Sequence, residues 1–256
     1  MRVESPHPDV IVATSAIWQT TCTIIRGGEE AFVVDSPVLP YELGMLPALL
    51  EQAQFRFSGL LATHGDWDHL LGRLAFPGAA LGVAESTAAR LNAEPGAAQR
   101  ALRAFDQEHY VVRPAPLALG DVQELPVPGR LDLGEHELEL HPACGHTADG
   151  LAVLAPWAGV LLAGDYLSPV EIPLVEGGTI EDYLDTLERL QGLLAGAEYV
   201  VAGHGAVGGR ERSLRLLEED RAYLLALQRD GDGAALPPGR DTPAQRRAHQ
   251  ANAGRE

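Results

Sequence analysis

The sequence predicts a mixed α/β protein in which two β-sheets pack face to face and helices cover both outer surfaces. Three observations predict it. Short apolar runs bounded by turn residues read as strands in both halves of the chain, each half runs from strands into amphipathic helical pattern, and no break in composition divides residues 8–208. The chain has 256 residues and is 46% hydrophobic, enough for one sizeable core.

The elements follow in order. Residues 9–15 (DVIVATS), 20–27 (TTCTIIRG) and 30–37 (EAFVVDSP) read as strands, with Gly27-Gly28 as the turn between the last two. Residues 39–54 read as one helix from the spacing of Leu43, Leu46, Leu49 and Leu50. GLLAT (59–63) is a buried strand and AALGVA (79–84) a short one, followed by a helix over 85–93. Residues 94–113 are mixed, with a short helix expected around ALRAFDQEHY and a lid or connection as their role. In the second half, 136–143, 150–156, 159–165 and 198–205 begin as strands. Residues 179–196 form a strongly amphipathic helix with Thr179 as N-cap, and 210–230 a second long helix. The Pro/Gly-rich and then polar remainder is expected to be a linker and a short terminal helix. The division expected is a domain over 1–208 and a C-terminal helical extension with a flexible tail over 209–256.

Composition excludes several function classes. All 19 basic residues are arginine, which rules out lysine Schiff-base chemistry, and the net charge of −17 argues against nonspecific binding to nucleic acid or an anionic membrane. No apolar run reaches the roughly 18 residues of a membrane span, and MRVESPHPDV has no signal-peptide pattern, so the cytoplasm is the expected compartment. Two cysteines, Cys22 and Cys144, do not make a disulfide framework. Neither nucleic acid nor a membrane is expected as a partner, and a homodimer remains open.

The stretch THGDWDHLLG (63–72) places His64, Asp66, Asp68 and His69 within six positions. Three more metal-capable residues stand beside glycine: His146 in ACGHTADG, Asp165 in LLAGDYLS and His204 in VVAGHGAV. All seven follow strand ends, where loops on one edge of a sandwich converge. Imidazole and carboxylate suit zinc, iron or manganese, and seven donors exceed the needs of one tetrahedral ion. The i, i+2, i+4 spacing of His64, Asp66 and Asp68 would put them on one side of an extended chain.

Together, Thr63-His64-Gly65-Asp66-Trp67-Asp68-His69, Gly145-His146-Thr147, Gly164-Asp165 and Gly203-His204-Gly205 resemble, in order and interval, the motifs of the metallo-β-lactamase superfamily of hydrolases. The resemblance covers roughly residues 8–208 and implies a four-layer αββα sandwich. It implies a first ion held by His64, Asp66 and His146, a second by Asp68, His69 and His204, and Asp165 bridging them. It implies two divalent metal ions, zinc first, with manganese or iron as alternatives. By the same resemblance a water or hydroxide between the ions is the nucleophile, and Asp68 orients it, accepts its proton and passes it to the leaving group. Asp35, in VVDSP, would brace the site loops without binding metal.

The departure is Asp66, where most members of the superfamily have histidine. A hard anionic oxygen adds negative charge to the first site and shifts preference toward manganese or iron. Flavodiiron proteins carry glutamate there, and the metallohydrolase domain of competence-type DNA-uptake proteins shares H-x-D-x-D-H. Whether Asp66 is a ligand, and whether one ion or two bind, stays open. TIEDYLDTLERL resembles the glyoxalase-II-like branch, which favours a small ester or thioester substrate. The alternatives are a phosphodiesterase or nuclease of the same fold, a non-hydrolytic di-iron redox protein, and a metal-stabilised binding protein. Tyr166, Ser168 and Glu171 are expected to line the pocket or to be ordinary loop residues. Arg73 would meet an anionic substrate or pair on the surface. Cys144 is read as a small buried hydrophobe, His109, His136 and His141 as structural or surface residues, and His7 and His249 as lying in flexible ends.

Overall fold

The computed structural model describes residues 1–254. Its layers follow from strands that are apolar on both faces. A seven-stranded sheet runs in the order β1 (Arg2–His7), β2 (Val10–Thr14), β3 (Thr21–Gly27), β4 (Glu30–Asp35), β5 (Arg56–Leu61), β6 (Leu81–Ala84), β7 (Gln123–Leu125). A six-stranded sheet runs β13 (Gly208–Gly209), β12 (Tyr199–Val201), β11 (Val160–Leu162), β10 (Leu151–Ala155), β9 (His136–Pro142), β8 (Gly129–Leu133). Successive side chains on a strand point to opposite faces, so neighbours enter different layers. Val34, Leu61, Val153, Leu162 and Val201 pack between the sheets. Val33 and Leu60 face the helices outside the first sheet, and Leu154, Leu161 and Val200 face those outside the second. Helices α1 (Pro40–Leu43), α2 (Leu46–Ala53), α3 (Gly72–Ala75), α4 (Glu85–Ala93) and α5 (Ala97–Glu108) belong to the first half of the chain. Helices α6 (Ile180–Leu193), α7 (Arg210–Asp230) and α8 (Pro243–Ala253) belong to the second. The four-layer α/β sandwich is the one expected.

Local chemistry explains the differences in detail. The helix expected over 39–54 is two helices, because Pro47 has no N–H to donate and would clash in a helix interior. The chain breaks at Gly44–Met45 and restarts with Pro47 in the first turn of α2, where the missing donor costs nothing. Thr179 caps α6 as expected, its hydroxyl accepting the Asp182 N–H at 3.0 Å. In place of a short helix around 101–110, α5 spans twelve residues. Strand β1 gives no apolar run: it sits at a sheet edge, with Arg2, Val3 and Ser5 exposed and the rest half-buried.

The C-terminal segment, expected to end in a flexible tail, contributes buried structure. Leu217, Leu224 and Leu227 of α7 join the core under the second sheet, and Gln245, His249 and Asn252 of α8 are buried. His249, expected in a flexible end, lies 3.0 Å from Tyr223 Oη through Nδ1 and 3.0 Å from the Asp232 carbonyl through Nε2. His7 likewise lies in β1, its ring within 3.7 Å of Asp9. Among the described residues no helix is long and apolar enough to cross a membrane.

Candidate metal centre

Four strands deliver the site. His64, Asp165 and His204 each stand three residues past the ends of β5 at Leu61, β11 at Leu162 and β12 at Val201, and His146 follows β9. All four loops open at one edge of the sandwich, and all seven expected residues meet there. Asp66 Oδ2 lies 3.4 Å from His64 Nε2 and 3.3 Å from His146 Nε2. Asp68 Oδ2 lies 3.5 Å from His204 Nε2 and 3.8 Å from His69 Nε2. Asp165 sits between the two groups: Oδ1 is 3.2 Å from His69 Nε2, and Oδ2 is 3.8, 3.4 and 3.5 Å from the Nε2 atoms of His64, His146 and His204.

The chain past His64 is not extended throughout. Asp66 has extended backbone, but Trp67–His69 form a 3-10 turn. That turn sends Asp68 and His69 toward His204, while Asp66 stays with His64 and His146.

The outer ring nitrogens are held by groups that fix their protons. His146 Nδ1 donates to the Leu174 carbonyl at 2.7 Å and His204 Nδ1 to the Trp18 carbonyl at 3.1 Å. A carbonyl can only accept, so Nδ1 carries the hydrogen and a neutral ring turns a bare Nε2 lone pair into the cluster. His64 Nδ1 reaches Thr63 Oγ1 at 3.0 Å, and that hydroxyl donates to Asp35 Oδ2 at 2.9 Å. Asp35 also accepts the Thr63 N–H at 2.8 Å and stands 3.1 Å from His69 Nδ1, close but poorly aligned for a hydrogen bond. It ties β4 to the start of the loop that carries His64, Asp66, Asp68 and His69.

The inner atoms fit a cation. The buried Nε2 atoms of His64, His69 and His146 and Oδ1 of Asp165 have no hydrogen-bond partner. Lone pairs facing carboxylate oxygens repel unless a positive charge lies between them. Donors around one tetrahedral zinc, at bonds of about 2.0–2.1 Å, stand about 3.3 Å apart, close to most of the separations here. His64–Asp66–His146 and Asp68–His69–His204 each bring one donor atom per residue close enough to hold an ion. Without an ion, protons take that role. Burial works against charge on His69, yet Asp165, Asp68 and Asp35 hold its imidazole well above the ordinary range. Burial also opposes charge on His146 and His204, but Asp66 and Asp165 raise the first to about 9, and Asp165 and Glu171 raise the second to about 10. Metal binding must displace such protons.

Glycine next to these ligands is a matter of space. A Cβ on Gly203 would lie 2.9 Å from His69 Cε1 and in direct collision with Asp165 Oδ1. Gly203→Ala is therefore expected to displace Asp165 and cut activity by about 100-fold or more, as shifts of roughly 1 Å in a site do. Its metal content should fall while circular dichroism stays native, and a fully loaded, active variant would contradict this.

Other expectations resolve individually. The Tyr166 hydroxyl accepts the His146 N–H at 3.0 Å, and Ser168 donates to the His204 carbonyl at 2.9 Å. Glu171 Oε1 lies 3.9 Å from His204 Nδ1, and burial raises its carboxyl. Arg73 binds the carbonyls of Ala79 and Ala118, so it ties loops together and does not face the site. Cys144 is half-buried, and its carbonyl accepts from Thr186. His136 stacks on Trp157, His109 packs on Phe105, and His141 Nε2 is 3.5 Å from Glu139. Two site residues escaped the sequence reading. Arg90 of α4 donates to Asp66 Oδ1 at 2.7 Å and to Asp149 Oδ1 at 2.8 Å. Asp149 stands in the same loop as His146, which was the available signal; Arg90 lies on a separate helix and had none.

A cavity of about 590 Å³ opens above the cluster. Trp18, Trp67, Leu91, Ala98, Ile172 and Leu174 give it apolar walls, and Glu94, Glu171, Glu176, Arg90 and Arg247 are its other charged lining groups besides the cluster carboxylates.

Known proteins are similar to this chain in sequence or in fold. A hydroxyacylglutathione hydrolase of Rhodobacter capsulatus is 30% identical over 204 residues, which span 77% of this chain and 67% of that protein. A metallo-beta-lactamase family protein of Thermus thermophilus superposes with a TM-score of 0.67 at 24% identity, over 90% of this chain and 85% of that one. The DIM-1 metallo-beta-lactamase superposes with a TM-score of 0.61 at 19% identity, over 85% and 96%. The family model of the metallo-beta-lactamase superfamily matches residues 16–204, which run from the loop before β3 to the last histidine of the cluster, and the chain belongs to that superfamily.

Proposed function

We propose that this protein is a binuclear metal-dependent hydrolase of small esters or thioesters. The observation that carries the reading is the convergence of four inward-facing Nε2 atoms and three carboxylates on one cavity floor, with buried inner donor atoms left unpaired. His64, Asp66 and His146 would hold one ion, Asp68, His69 and His204 the other, and Asp165 both. Divalent ions there supply Lewis acidity toward a substrate carbonyl and make water nucleophilic at neutral pH.

The protein's own groups do the rest. The carbonyls of Leu174 and Trp18 hold His146 and His204 in the tautomer that presents Nε2. Asp68, buried at the cavity floor, takes the proton that water gives up and returns it to the leaving oxygen or sulfur. The apolar walls exclude water and seat an acyl group. Glu94, Glu171 and Glu176 around the cavity repel a phosphodiester backbone. The likeness to a hydroxyacylglutathione hydrolase supports a thioester as one substrate type.

The test pairs elemental mass spectrometry of protein purified without added metal or chelator with a substrate panel: an acyl-glutathione thioester, p-nitrophenyl acyl esters, bis(p-nitrophenyl) phosphate and a chromogenic cephalosporin. Two zinc or manganese ions per chain and turnover confined to the first two classes are expected. Phosphodiester turnover alone would replace the reading with a phosphodiesterase. Two irons with a visible absorption band and no hydrolysis would replace it with redox chemistry, which the Asp66 carboxylate would suit.

A further inference from the structure

Asp66 has two oxygens and uses them differently. Oδ2 faces His64 and His146. Oδ1 points outward and accepts from Arg90 Nη2 at 2.7 Å. The other arm of the same guanidinium, Nη1, donates to Asp149 Oδ1 at 2.8 Å, and Asp149 Oδ2 accepts the Gly65 N–H at 2.9 Å. The Asp149 side chain is 1% exposed and Arg90 rises from α4, so the fork is anchored from a fixed helix on one side and a buried carboxylate on the other. Gly65 precedes Asp66, so the network fixes both the backbone and the side chain of that position.

An imidazole offers a metal one nitrogen. A free carboxylate offers two oxygens and can chelate through both, which raises the coordination number and lowers the acidity of the ion. We propose that Arg90 is a positioning residue that makes Asp66 act as a one-atom ligand: by holding Oδ1 outside the cluster it leaves only Oδ2 to donate, and it draws part of the carboxylate's charge away from the first site. A planar fork with fixed donors can span two carboxylates in this way, and a lysine ammonium cannot. On this account Arg90 is the companion that an aspartate at position 66 requires and that a histidine there would not.

The inference rests on the metal-binding reading. The test loads the purified protein with cobalt(II), counts cobalt per chain by elemental mass spectrometry, and records visible ligand-field absorption per bound cobalt. Arg90→Met is compared with its parent in two backgrounds, native Asp66 and Asp66→His. Both backgrounds lose the contact to Asp149 equally, so general damage cancels and only the coupling to Asp66 differs. With Asp66 present, Arg90→Met is expected to lower the absorption per cobalt, as the ion gains a fifth or sixth donor. It should also cut kcat by about 10-fold or more, the scale on which groups that orient metal ligands act. In the Asp66→His background, both readouts should change less than about threefold. Equal changes in both backgrounds would make Arg90 a structural residue acting through Asp149 and overturn the proposal, as would no change in either. A native protein that binds no cobalt overturns the metal reading and this proposal together. If Arg90→Met does not fold, Arg90→Lys carries the same comparison, since it keeps a charge beside Asp149 but cannot hold both carboxylates.

Discussion

Asp165→Asn is expected to cost this protein its metal and its activity together. Among the described residues, the carboxylate of Asp165 is the one group that stands within 3.2–3.8 Å of all four inward Nε2 atoms. The surrounding imidazoles offset the burial that opposes its charge, with His69 and His204 foremost, and hold it well below the usual carboxylate range. Asparagine keeps the volume and one oxygen but removes the charge and the second donor, so under the proposed reading neither half of the cluster keeps a shared ligand. Metal content should fall by at least half, and kcat/KM by about a thousandfold or more, which is about 4 kcal/mol of lost transition-state stabilisation. Elemental analysis and steady-state kinetics on the same preparation read both. A variant with full metal content and activity within about threefold of the parent would remove Asp165 from the centre of the site.

The second large effect lies away from the cluster. Arg240 is 1% exposed, and its Nη1 meets Asp220, itself buried, while Nη2 reaches Glu219 at 3.1 Å. Nη1 also donates to the carbonyls of Ser168 at 3.2 Å and Glu171 at 2.8 Å. Asn252 and Gln245 of α8 hold the same loop through Pro173, Val175 and Ile172. That loop carries Leu174, which orients His146. Arg240→Met strands a buried carboxylate and two carbonyls, and should cost about 3 kcal/mol or more. In a chain of this size that is roughly a 6–12 °C fall in Tm. Arg240→Met combined with Asp220→Asn should recover a large part, because the stranded charge is gone. A melting temperature unchanged in the single variant would show that the buried pair contributes nothing to stability. The C-terminal segment is thus tied to the loop that orients His146 of the candidate metal centre, which its Pro/Gly-rich composition gave no reason to expect.

Much of the fold could be read from local pattern. Strands apolar on both faces, such as TTCTIIRG and GVLLAGD, carry their burial in their composition, and α6 announces itself through its stripe and Thr179. The edge strand β1 carries no apolar alternation to read, and the break before Pro47 lies in the proline's own chemistry, which apolar spacing alone passes over.

The sequence by itself determined which residues are metal-capable and that they follow strand ends: His64, Asp66, Asp68, His69, His146, Asp165 and His204 are all legible there, because donor chemistry and glycine-flanked turns are local properties. Only the tertiary structure decided how those donors divide, because a 3-10 turn at Trp67–His69 and not an extended chain separates Asp66 from Asp68. It alone decided the company each donor keeps. Arg90 reaches Asp66 across 24 residues, Leu174 reaches His146 across 28 and Trp18 reaches His204 across 186. Such contacts leave no spacing or periodicity in the chain, because they depend on where whole helices and loops come to rest.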